Sequence, residues 1–209
     1  MRSFWSEPFL WIHLAGLAAL PLCLAFCLLG LAVGDPIAPV GLEFAAVAAV
    51  GIAPVLWMQL TRPFYIFSVV ALSLRSEQLT IPQRQILNLF KTKSVKVPAI
   101  LSALFLLWVL GRLYDLAPIA SAVAPFQPEW RVAGLLLAGV AFLGANLFLQ
   151  IPVSVLRVLV ASEAEFAATE PATVESIRRD FTIPGWQLNQ ILPPIVSLAS
   201  PKDRELNNL

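Results

Sequence analysis

The sequence predicts an all-α integral membrane protein with four transmembrane helices in two hairpins. An amphipathic connector joins the hairpins and a short tail follows, both on the cytoplasmic side (stromal, in a thylakoid). Three observations carry this. The 209 residues are 58% hydrophobic and only 13% charged, about half the roughly 25% charged share of a soluble domain. The apolar residues also gather in long runs nearly free of charge, each able to cross ~30 Å of hydrocarbon at about 1.5 Å per residue. Finally, six of the fourteen Lys and Arg residues lie between positions 62 and 96, the only long polar interruption before the tail.

The chain divides accordingly into a first hairpin (1–61), the basic connector (62–96), a second hairpin (97–162) and a tail (163–209). The first span is the run at 9–33, FLWIHLAGLAALPLCLAFCLLGLAV, with a kink expected at Pro21. Gly34, Asp35, Pro36 and Pro39 then form a turn. The second span occupies about 40–60, opening near Glu43 and closing at Arg62 and Pro63. The third covers about 97–117, with Arg112 and Asp115 near its far end. The fourth covers about 130–156, after a Pro-rich loop. The N-terminal run lacks a small-x-small cleavage site and is expected to stay as an anchor.

Within the connector, residues 64–74 are apolar but too short to cross, which predicts an interfacial or re-entrant segment. Thr80, Pro82 and Gln83 then spell a helix start: a capping box with proline in the first turn. Behind it Ile86, Leu87, Leu89 and Phe90 share one helical face, and Arg84, Asn88 and Lys91 the opposite one. The expectation is a short helix lying on the membrane with its apolar face in lipid. Arg84, Asn88, Lys91, Lys93 and Lys96 form its candidate interaction surface. Counting Lys and Arg in the short flanks places connector and termini on the cytoplasmic side. The tail begins acidic (Glu163, Glu165, Glu170, Glu175), with a helix expected over 173–181. Its later apolar residues, from Trp186 to Val196, predict docking on the connector, the membrane or a partner.

Candidate sites are few. Ala15, Ala19, Cys23 and Cys27 form a small-residue ladder, matched by Ala45, Ala49 and Ala53 on the second span. Such ladders let helices approach closely in lipid, here within the first hairpin. Two cysteines inside a span suggest neither a disulfide framework nor a redox pair. His13 is the sole histidine; it would either hydrogen-bond a neighbour or bind a tetrapyrrole pigment through a ring nitrogen. Asn146, Gln150, Ser154 and Arg157 descend one face of the fourth span, as a polar path or as helix-packing hydrogen bonds. Glu43, Arg112 and Asp115 all lie near the far face and are expected to form one ion-paired cluster. No catalytic motif and no metal-ligand cluster stands in the sequence, so neither enzymatic activity nor a metal is expected. The net charge of +1 argues against nucleic acid as a partner.

Several strings together resemble a family of cyanobacterial membrane proteins, the low-complexity tail membrane proteins. They are MRSFWSEPFLWIHLAGLAALPL (1–22), GLAVGDP (30–36), RPFYIFS (62–68), the LTxxQRxILxLFK pattern (79–91) and LQIPVSVLRVL (149–159). The resemblance implies a photosynthetic prokaryote and a thylakoid or plasma membrane. It brings no activity and no functional residues. The tail here is short and not of low complexity. The expected role is an accessory, scaffold or assembly component of a membrane complex, with the bilayer and a membrane protein as partners. A small transporter using the Asn146 to Arg157 face and a pigment protein using His13 are the alternatives.

Overall fold

A computed structural model describes residues 2–92 and 96–192. The first span begins with α1 (Pro8–Ala15), tightens into a 3-10 turn at Gly16–Ala19 and continues as α2 (Leu20–Leu31). Pro21 has no N–H to give the turn before it, so the ladder changes pitch there rather than breaking. α3 (Val40–Thr61) is the second span. The third is α5 (Lys96–Leu116), lengthened by 3-10 turns to Val123, and the fourth is α6 (Arg131–Leu159). All four are long and apolar enough to cross a membrane. Between α3 and α5 lie two short strands, β1 (Ser68–Val69) and β2 (Leu72–Leu74), and the helix α4 (Ile81–Thr92). The tail adds α7 (Glu163–Ala167), α8 (Val174–Asp180) and β3 (Trp186–Leu188).

α6 is the central helix, packing against the first span, α3 and α5. Small residues make this possible. A Cβ at Gly30 of α2 would stand 2.6 Å from the carbonyl oxygen of Gly134 on α6, so only glycine lets those backbones meet. Ala138, Phe142 and Ala145 of α6 then share a buried cluster with Cys27, Leu31, Val47, Leu106 and Leu110. This corrects the pairing of ladders expected within the first hairpin. Cys23 and Cys27 face α6, close to Gly144 and within that buried cluster. Ala45, Ala49 and Ala53 instead line a groove that α3 forms with Ile100, Ala103, Leu104 and Leu107 of α5. The reason is local: α6 offers glycines at the contact points, and α3 offers none toward α2.

Connector and tail fold together into a cap at one end of the bundle. β1 and β2 make an antiparallel hairpin, and β3 from the tail pairs with β2 in parallel, Leu72 opposite Trp186 and Leu74 opposite Leu188. The hairpin tip is tight: Val70 takes a positive φ of 54°, and Gly185 at φ 59° lets the tail pass against the Ala71 carbonyl. Residues 64–74, expected to lie in the interface or re-enter, form a loop and the β1–β2 hairpin of the cap. Tyr65, Ile66 and Phe67 are fully buried in the loop that leads into β1, and their apolar character marks core. That core also holds Phe4, Phe9 and Leu10, the C-terminal turns of α6, and Phe166, Ile177 and Phe181 of the tail.

Candidate functional site

The helix α4 starts as its sequence spells. The Gln83 backbone N–H donates to the Thr80 hydroxyl at 3.4 Å, and the Thr80 N–H donates to Gln83 Oε1 at 3.0 Å. What it covers is different from the expectation. Ile86, Leu87, Leu89 and Phe90 are each at most 1% exposed, because α6, the N-terminal segment and the tail close over them. No lipid-facing side is left on that face.

The polar side of α4 is taken up as well, by the chain's own tail. Gln85 Nε2 donates to the Thr169 carbonyl at 3.0 Å and Asn88 Nδ2 to the Glu170 carbonyl at 2.8 Å. The Ala172 N–H donates to the Arg84 carbonyl at 3.2 Å. Lys91 Nζ meets the Asp180 carboxylate at 2.6 Å. With Arg179 donating to it as well as Lys91, the Asp180 carboxyl is held down to about 2. Lys96 is exposed at the start of α5. Lys93 lies outside the described residues, as do Ile195 and Val196 of the expected docking segment. Of the basic surface the sequence singled out, Asn88 and Lys91 are thus tail-anchoring residues.

The N-terminal segment belongs to the same end. Ser3 donates from both backbone N–H (2.9 Å) and hydroxyl (2.5 Å) to the Glu163 carboxylate, which holds that carboxyl below its usual range. Arg2 and the Trp5 indole N–H both donate to the Leu159 carbonyl, at 2.5 and 3.0 Å, and so satisfy the last turn of α6. Glu7 caps α1 and accepts from Gln83 Nε2 at 3.1 Å; burial pushes its carboxyl up despite that bond.

His13 ties the first span to this cap. Its Nε2 lies 2.7 Å from the Ile66 carbonyl and its ring meets Phe64 edge-on. A carbonyl accepts only, so Nε2 carries the proton and the ring is held by a helix-to-connector hydrogen bond.

The polar face of α6 turns inward. Asn146 Nδ2 donates to the carbonyls of Gly51 (3.0 Å) and Ile52 (3.3 Å) on α3, and its Oδ1 accepts from Gln150 at 2.7 Å. The Ser154 hydroxyl returns to the Gln150 carbonyl at 2.8 Å. All three are at most 2% exposed. Arg157 is half-buried a turn further on, and no hydrogen bond joins it to the other three. Gln59 on α3 is also buried, with both amide atoms unpartnered among the described residues. The face is continuous in sequence but its first three members bind one another and the α3 backbone.

At the far end the expected three-residue cluster separates into two pairs. Arg112 pairs with Asp115, exposed, at 3.1 Å. Glu43 pairs instead with Arg131, both nearly sealed from solvent, through Nε at 3.0 Å and through Nη2. Arg131 Nη1 completes the fork on the Leu31 (2.6 Å) and Val33 (3.0 Å) carbonyls, closing the exposed end of α2. A lone Glu inside an apolar run demands a cation. Arg131, in the first turn of the fourth span, was the signal available for it.

The arrangement defines a class: a four-span helical membrane protein whose bundle carries a folded cap made from its N-terminal segment, its connector and the tail as far as residue 192. The chain belongs to the low-complexity tail membrane protein-like family, which it matches over residues 6–193. No curated protein and no solved structure matches it.

Proposed function

We propose that this protein is a non-enzymatic accessory, scaffold or assembly component of a membrane complex. The resemblance to cyanobacterial proteins points to a thylakoid or plasma membrane, and the Lys and Arg count in the short flanks to a cytoplasmic or stromal cap and termini. One observation carries the reading. At the hairpin tip of the cap, outside the spans, Val70 is 85% and Trp186 75% exposed, with Leu72 paired beside Trp186. Large apolar side chains gathered on a rigid, folded surface mark an interaction site.

The transport alternative needs a polar path, and the amides of Asn146 and Gln150 serve as helix-packing bonds instead. In the pigment alternative only Nδ1 of His13 would remain to bind, because Nε2 is held by the Ile66 carbonyl. Native gels of membranes solubilised in mild detergent test the proposal, with absorbance spectra of the eluted bands. The chain is expected in an assembly larger than its monomer, from which Trp186→Ser releases it without unfolding. A strictly monomeric chain in native membranes overturns the reading. Solute flux in proteoliposomes that disappears with Asn146→Leu and Gln150→Leu would replace it with transport.

A further inference from the structure

Where α3 leaves the span, Arg62 and Arg178 line a pocket of about 490 Å³ together with Thr182, Ile183 and Gln187. We propose that this pocket binds the phosphodiester headgroup of an anionic membrane lipid.

Depth is the first argument. Arg62 follows directly on the membrane-spanning helix Val40–Thr61, and Trp57, 72% exposed, stands little more than a turn before it. An exposed Trp at the end of a span marks the headgroup level, so the pocket opens where lipid phosphates lie. The second argument is donor chemistry. A guanidinium has five N–H donors. Arg62 uses Nη2 on the Arg178 (2.6 Å) and Phe181 (2.8 Å) carbonyls, which anchors it and aligns it beside Arg178. Its Nε and Nη1 have no partner among the described residues. Arg178 gives Nη2 to Glu77 and keeps its remaining donors, and the Gln187 side-chain amide adds more. The Thr182 hydroxyl donates to the Arg62 carbonyl at 2.6 Å and holds the turn that forms the pocket wall. None of the five lining residues is a carboxylate. Two forked cations with spare donors and no competing anion in the wall suit a phosphate, which accepts several N–H bonds at once. A free phosphate ion has the same chemistry, but the headgroup depth assigns the site to a lipid.

The test uses the purified full chain in neutral detergent, titrated with phosphatidylglycerol, phosphatidylcholine or inorganic phosphate and read by native mass spectrometry. Phosphatidylglycerol is expected to bind at least about tenfold more tightly than phosphatidylcholine, and inorganic phosphate at matched concentration not to displace it. Arg178→Gln should weaken it about fivefold. Gln187→Glu, which places a carboxylate in the pocket without disturbing any anchoring bond, should do the same while leaving the melting temperature unchanged or higher. Equal binding of the two lipids overturns the proposal, and so does displacement by inorganic phosphate. Lys96→Gln, outside the pocket, weakening binding as much as Arg178→Gln would also overturn it, since the attraction would then be diffuse charge.

Discussion

Glu43 and Arg131 lie on different spans, and sealed from solvent as they are, neither tolerates the loss of the other. Replacing Arg131 with Met would leave a sealed carboxylate with no cation and the Leu31 and Val33 carbonyls with no donor. Breaking one side of a buried pair costs about 3–5 kcal/mol. Arg131→Met should therefore lower the unfolding midpoint in mixed micelles sharply. Arg131→Met combined with Glu43→Leu should recover much of the loss, and a single variant that unfolds like the parent would show that the pair holds nothing. Asn146 makes the opposite kind of bond, a neutral amide that donates to the α3 backbone and accepts from Gln150. Asn146→Leu is expected to cost about 0.6 kcal/mol and less than ~2 kcal/mol, as such contacts do in membranes. The contrast separates an ion pair that closes the bundle end from hydrogen bonds that set the seating of α6 on α3.

At the scale of elements, the decisive contact is α2 on α6. Gly134 faces the Gly30 carbonyl and Val33, with room for no Cβ: an added one would lie 2.6 Å from that oxygen and 2.7 Å from Val33 Cβ. Gly134→Ala must push the two helices apart, an overpacking cost of roughly 1–3 kcal/mol. Gly111 on α5 has nothing within 4 Å of the same position. Gly111→Ala should leave stability unchanged or slightly raised, because alanine favours the helix. Equal melting of the two variants by circular dichroism in detergent would remove the close-approach account. α4 shows how an element's pattern can be right and its partner wrong. Its period and its capping box are legible from Thr80 to Lys91, yet a one-sided apolar helix looks the same whether lipid or protein covers it.

The whole molecule is held as one body at the cap, where four distant stretches meet: residues 2–7, the connector, the end of α6 and the tail. The Lys91–Asp180 pair is part of that closure, and its pH dependence has a definite sign. The Asp180 carboxyl titrates lower in the folded chain, at about 2, than its ordinary 3.8. Its contribution is therefore fully present above about pH 4 and is lost as pH falls toward 2. Hydrogen exchange over 182–188, corrected for intrinsic rates, should show the tail strand loosening across that window. Asp180→Asn should loosen it at neutral pH and flatten the dependence; protection indifferent to both would place the closure in the Phe90, Ile177 and Phe181 contacts alone.

Span number and approximate ends were legible because transfer into hydrocarbon is a local, additive property of each run. The helix starts at Thr80 and Thr173 were legible because a cap involves residues three apart, and Thr173 does accept from the Ser176 N–H at 3.2 Å. The sheet was not. Residues 68–74 and 186–188 are more than a hundred positions apart, and two- and three-residue strands carry too little alternation to announce a pairing. Nor could the ladders say which span they met, since every small-residue stripe suits any other. The choice falls to the backbones that approach most closely, Gly30 on Gly134, and to the charge that Glu43 could reach. Bilayer residence and four spans thus follow from composition along the chain. The central place of α6, the closed cap and the real partner of each polar residue follow from which surfaces fit.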